Sequence, residues 1–134
     1  YKNELGGNVF VFCGTPVAEF HISKAFSFLN YSRKQQLIEM VGMANELPVY
    51  YPNDEEIYLR AADMENGDLF CGVFNIGSDP IDNLELVCDF EAKGFKKLMP
   101  NGESVYIDFK YENGRYILDT PCNILDPVIL FIER

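Results

Sequence analysis

His21 is the only histidine in the chain and stands eight residues after Cys13. A thiol beside an imidazole is the pairing from which a Cys-dependent enzyme builds its nucleophile. Cys13 ends the apolar run Asn8-Val9-Phe10-Val11-Phe12, and a strand end is a favourable place for such a group. The tight glycine-flanked elbow that would expose the sulfur is absent, so the stronger expectation is a buried structural Cys13 and a surface His21. Asp54, Glu55 and Glu56 offer carboxylates for glycoside hydrolysis, which needs two at a set separation. Clustered at a strand entrance, they read instead as solvated.

Asp79-Pro80-Ile81-Asp82-Asn83 carries oxygen ligands for calcium but lacks the alternating acids, central glycine and final glutamate of an EF-hand loop. A turn stabilised by the Asp79 side chain fits better. Tyr106, Tyr111 and Tyr116 surround the last Asn-Gly turn, and aromatic rings can stack on sugar faces. Strand alternation over Val105–Tyr111 puts Val105, Ile107, Phe109 and Tyr111 on one face and Tyr106, Asp108 and Lys110 on the other. Tyr106 alone then looks outward, as the single candidate ligand-binding residue. No catalytic or metal-binding residue is assigned, and no cofactor is expected. Gly6-Gly7 precedes a strand rather than linking a strand to a helix, so it is not a dinucleotide fingerprint.

The elements that would hold these residues are mostly strands. Glu65-Asn66-Gly67-Asp68, Pro100-Asn101-Gly102-Glu103 and Glu112-Asn113-Gly114-Arg115 separate segments rich in β-branched and aromatic residues. Asn-Gly accepts positive φ at both central turn positions and so suits antiparallel hairpins. Pro48–Pro52 reads as a short extended piece. Strands are expected at Ile57–Met64, Leu69–Ile76, Leu84–Phe90, Phe95–Leu98, Val105–Tyr111, Tyr116–Leu118 and Val128–Ile132. Leu84, Leu86, Cys88 and Phe90 alternate with Glu85, Val87 and Asp89, as in a strand with one wet face. About seven short strands with such turns predict an antiparallel β-sandwich over residues 48–134.

Residues 1–47 read as a strand-plus-helix connector. Asn8–Cys13 has the continuous apolarity of a buried strand. Ser32 with Gln35 fits a capping box, and Leu37, Ile38, Met40, Val41 and Ala44 form an apolar row at helical spacing over Arg33–Asn45.

A net charge of −10 argues against nucleic acid and against an anionic membrane surface as partners. Cys13, Cys71, Cys88 and Cys122 contain no CxxC pair and read as reduced, buried thiols in a cytoplasmic protein. The absence of Trp weakens a sugar-binding role.

Glu56-Ile57-Tyr58-Leu59-Arg60, the hairpin into Leu69-Phe70-Cys71-Gly72-Val73-Phe74-Asn75, and the closing Leu125-Asp126-Pro127-Val128-Ile129-Leu130-Phe131 resemble the C-terminal β-sandwich of many bacterial glycoside hydrolases. Gly6–Thr15 with the helix after Ser32 is similar to the end of an amidotransferase-like α/β domain, which precedes that sandwich in β-galactosidase-like enzymes. Such enzymes keep their catalytic acids in a barrel, so the resemblance carries no catalytic residue onto this chain. It implies a non-catalytic accessory domain that packs against preceding domains of a parent enzyme in carbohydrate metabolism, and the chain itself is expected not to be an enzyme. The alternatives are a carbohydrate-binding module using Tyr106 and a small Cys-dependent enzyme using Cys13 and His21. A homo-oligomer is compatible with each.

Overall fold

The computed structural model describes residues 2–11, 31–44 and 47–134. The chain divides into two units, Tyr1–Leu47 and Pro48–Arg134.

In the first unit, Asn3 opens a tight turn. Gly6 N–H donates to the Asn3 carbonyl at 3.0 Å, Asn3 N–H donates to the Gly7 carbonyl at 2.8 Å, and Lys2 bridges Asn8. Beyond this bridge Asn8–Val11 is not a strand, and Phe10 and Val11 are exposed, contrary to the buried strand expected there. Cys13 and His21 lie outside the described residues. Helix α1 spans Tyr31–Ala44. It has already begun at Tyr31, so Ser32 sits within its first turn and is not the N-cap. None of its residues is buried, and the row of Leu37, Met40 and Val41 stays partly open to solvent.

The second unit is mainly β and consists of two antiparallel sheets. Its strands are β1 (Val49–Tyr50), β2 (Ile57–Asp63), β3 (Leu69–Asn75), β4 (Leu84–Cys88), β5 (Gly94–Leu98), β6 (Ser104–Tyr106), β7 (Phe109–Glu112), β8 (Arg115–Leu118) and β9 (Val128–Glu133). One sheet has the order β1-β4-β8-β7 and the other β2-β3-β9-β5-β6. Alternation supplies the core between them. Val49, Leu84, Leu86, Tyr116 and Leu118 come from the first sheet, and Leu69, Cys71, Val73, Phe95, Val128, Leu130 and Ile132 from the second, all buried.

Nine strands stand where seven were expected, because the extended piece at Val49–Tyr50 pairs as β1 and one expected strand is split in two. The segment expected to run unbroken from Val105 to Tyr111 changes sheets. Ile107 N–H still donates to Phe95 of the five-stranded sheet, at 3.0 Å, whereas the Asp108 carbonyl accepts from Asp119, next to the other sheet, at 2.9 Å.

The three Asn-Gly turns are of two kinds. Asn113 and Gly114 both have positive φ, 52° and 80°, giving the two-residue turn that matches strand twist. At the other two only the glycine does, with Gly67 at 92° and Gly102 at 86°. There Gly67 and Gly102 N–H donate back to the Met64 and Met99 carbonyls, at 3.0 and 2.9 Å, in three-residue loops. The Asn66 and Asn101 side chains accept from the N–H of Asp68 and Glu103, at 3.1 and 3.0 Å.

Candidate functional site

On the outer face of the five-stranded sheet, register gathers aromatic side chains. Tyr58 lies opposite Phe74, Ala62 opposite Phe70, Phe70 opposite Phe131, and Lys96 opposite both Phe131 and Tyr106. All share the face turned away from the core. Ring centroids are 5.9 Å apart for Tyr58 and Phe74 and 6.1 Å for Phe70 and Phe131, spacings typical of favourable aromatic pairs. Gly72, between Arg60 and Ile129, is buried beneath this group. A Cβ there would meet Phe74 Cε2 at 3.3 Å, Ile129 Cδ1 at 3.6 Å and Phe70 Cε1 at 3.9 Å. The missing side chain is thus what lets the rings close over the backbone. Phe70, Phe74, Ile129 and Phe131 are half-buried.

Tyr106, the residue singled out from sequence, lies at the β6 end of this face and is 66% exposed. Its hydroxyl donates to Glu133 Oε1 at 2.8 Å. Lys96 Nζ lies 2.6 Å from the same oxygen and 4.6 Å from the Tyr106 ring centroid. The hydrogen bond with Glu133 pushes the Lys96 pKa up, and reciprocally Lys96 holds Glu133 below the ordinary carboxylate range. Gly94 makes room for this cluster: a Cβ there would lie 2.7 Å from Glu133 Oε2 and 3.3 Å from Tyr106 Cε1. Tyr106 is therefore not alone in facing outward, and Tyr58, at 48% exposure, is the next most open ring of the group.

Tyr111 lies on the expected core-side face but is not buried. It lies opposite Tyr116 with ring centroids 4.7 Å apart, yet it is 62% exposed because β7 is an edge strand. Tyr116 is buried, and its hydroxyl accepts the Ala92 N–H at 2.8 Å.

The other candidates among the described residues lie in turns and at strand entrances. The turn after β3 is stabilised by Asn75 rather than Asp79. Asn75 Oδ1 accepts the Gly77 N–H at 3.0 Å, and its Nδ2 donates to the Asp79 and Cys122 carbonyls at 2.8 and 3.0 Å. A side chain with both donor and acceptor, buried where the chain bends, can satisfy three backbone groups at once. Among the described residues no group of three His, Cys, Asp or Glu side chains could hold a metal ion. In the acidic cluster, Glu55 accepts the Tyr51 hydroxyl at 2.7 Å, and burial with this bond raises the Tyr51 pKa. Arg115 ties the neighbouring Asn53 to Glu85, at 2.8 and 3.0 Å.

Cys71, Cys88 and Cys122 are free thiols, with Cys71 and Cys122 buried and Cys88 half-buried. Burial pushes Cys71 and Cys88 up to about 12, far from the range of a reactive thiolate. No helix among the described residues is long and apolar enough to cross a membrane.

The outer aromatic group escaped the sequence reading, although a signal for it exists. Phe70, Gly72 and Phe74 alternate with Leu69, Cys71 and Val73, and Ile129 and Phe131 alternate with Val128, Leu130 and Ile132. Both strands are apolar at both parities, and β3 and β9 are neighbours. One parity fills the core, so the other must form a second apolar face. No protein-family model, curated protein or solved structure matches this chain.

Proposed function

We propose that residues 48–134 form a non-catalytic accessory domain of a carbohydrate-active enzyme, docking the outer face of the five-stranded sheet against a neighbouring domain. The observation that carries this reading is the half-buried group of Phe70, Phe74, Ile129 and Phe131 around Gly72. Its rim is polar, with Tyr58, Arg60, Lys96 and Glu133, and a protein interface has the same anatomy of apolar centre and polar edge. The resemblance to the C-terminal sandwich of β-galactosidase-like enzymes supplies the class of parent.

The second reading is a carbohydrate-binding face on Tyr106 and Tyr58. It is favoured by the exposure of Tyr106 and by the Lys96 and Glu133 polar groups beside its ring. Two measurements separate the readings. Anilinonaphthalene sulfonate fluorescence on the folded protein reports the apolar face, and docking predicts enhancement that Phe131→Glu suppresses. Isothermal titration against oligosaccharides is expected to be silent. Saturable heat that disappears in Tyr106→Ala would replace docking with sugar binding.

A further inference from the structure

The four strands at the sheet edges are unequal. β1, β6 and β7 have two, three and four residues, while β2 has seven, Ile57-Tyr58-Leu59-Arg60-Ala61-Ala62-Asp63. Edge strands in solution are ordinarily blunted by shortness, proline, a bulge or several charges, because their free backbone groups recruit other strands. β2 has no proline, and its pairing with β3 runs without a bulge from Ile57↔Asn75 to Asp63↔Leu69.

The backbone groups that remain open can be assigned. Ile76 N–H donates to the Glu56 carbonyl at 2.9 Å, and Met64 N–H donates to the Asp68 carbonyl at 2.9 Å. These bonds bracket β2 and fix its parity. Tyr58, Arg60 and Ala62 exchange hydrogen bonds with β3, while Ile57, Leu59, Ala61 and Asp63 turn N–H and C=O away from it. No partner for these outward groups occurs among the described residues, and Ala61, Ala62 and Asp63 are exposed.

We infer that the free edge of β2 pairs antiparallel with β2 of a second copy of this chain, on a two-fold axis at Leu59. Leu59 then meets its counterpart, and Ile57 meets Ala61, in hydrogen-bonded pairs on the face that already carries Ile57 and Leu59 against the core. On the opposite face Tyr58 meets Arg60, setting a guanidinium beside an aromatic ring. That chemistry is already present within the strand, where Arg60 Nη1 donates to the Tyr58 hydroxyl at 3.0 Å. Side-chain pairing disfavours registers shifted toward the C-terminal end of β2. An axis at Arg60 would oppose two guanidinium groups, and an axis at Ala61 would set Leu59 against Asp63, whose carboxylate is engaged by Arg134 at 2.8 Å. One strand edge buries less than the ~1,200 Å² of a stable interface, so the dimer is reversible.

The test is sedimentation velocity on the full chain from about 10 μM to about 1 mM, with amide exchange followed at both ends of that range. The expected result is a dimer populated by mass action. Ile57, Leu59 and Ala61 amides gain protection with concentration, while Tyr58, Arg60 and Ala62 are protected throughout. Ala61→Pro removes an outward N–H without costing a ladder bond and should weaken association by roughly tenfold or more. Arg60→Glu, which leaves the backbone untouched, should weaken it as well and keeps the test sound if the proline variant folds poorly. A monomer at every concentration overturns the inference, as does a dimer indifferent to both substitutions. Protection of Ile57, Leu59 and Ala61 already complete at the lowest concentration also overturns it, because another part of the same chain then covers the edge.

Discussion

At the scale of single residues, burial keeps the described thiols of Cys71 and Cys88 protonated. Cys71 is an inward residue of β3, and burial raises its thiol to about 12. Alkylation by iodoacetamide at about pH 8 should therefore run roughly a thousandfold slower than for an unperturbed thiol, read by mass spectrometry on the native protein. The same burial links stability to pH. The unfolded thiol loses its proton above its ordinary value of 9.0 while the folded one holds it to about 12. The native state then binds more protons, and stability falls as pH rises through that window. Thermal melts across it should show the decline, with a shallower slope in Cys71→Ala. Gly72 is the complementary case, a residue whose value is its missing side chain. Gly72→Ala brings a methyl to 3.3 Å from the Phe74 ring and should cost about 1 kcal/mol in chemical denaturation. A loss well below that would mean Phe74 swings aside freely.

Elements obey local rules where one rule acts alone and break them where the sheets compete. The hairpins were legible because turn chemistry is local, but Asn-Gly did not distinguish its two turn types. Of the three turn asparagines, Asn113 alone has positive φ, at 52°, so glycine should be tolerated there to within about 0.5 kcal/mol. Asn66→Gly and Asn101→Gly should each cost about 1 kcal/mol in equilibrium unfolding, because they remove side-chain bonds and add chain freedom. Equal costs at all three positions would show that φ does not decide. Over Val105–Tyr111 alternation gives the face of each side chain but not the sheet it joins, and Ile107 and Phe109 both pack against the core as expected. The change of sheet between Ile107 and Asp108 depends on partners distant in sequence. Tyr106 was placed correctly on an outer face. Tyr111 keeps its expected face, opposite the buried Tyr116, but the edge position of β7 leaves it exposed. The aromatic companions of Tyr106 were hidden differently, because an apolar strand reads the same whether its second face is covered or open. Ser32 shows a third limit, since a capping pattern can lie within the first turn of a helix that has already begun.

Taken whole, the sandwich draws its buried apolar core from Val49 to Ile132. A polypeptide of residues 48–134 should therefore fold alone and unfold in one cooperative transition, measured by near-UV circular dichroism on heating. A broad, non-cooperative melt would mean that the first unit is needed. The order of the five-stranded sheet has another consequence. β9 lies between β3 and β5, joining the β2–β3 hairpin to the β5–β6 hairpin. A ribosome delivers these hairpins first and β9 last. Until that final strand emerges, the nascent chain holds two half-sheets whose inner edges are bare, the state in which a growing polypeptide is most open to wrong pairings. Any delay before β9 has left the ribosome lengthens that exposure.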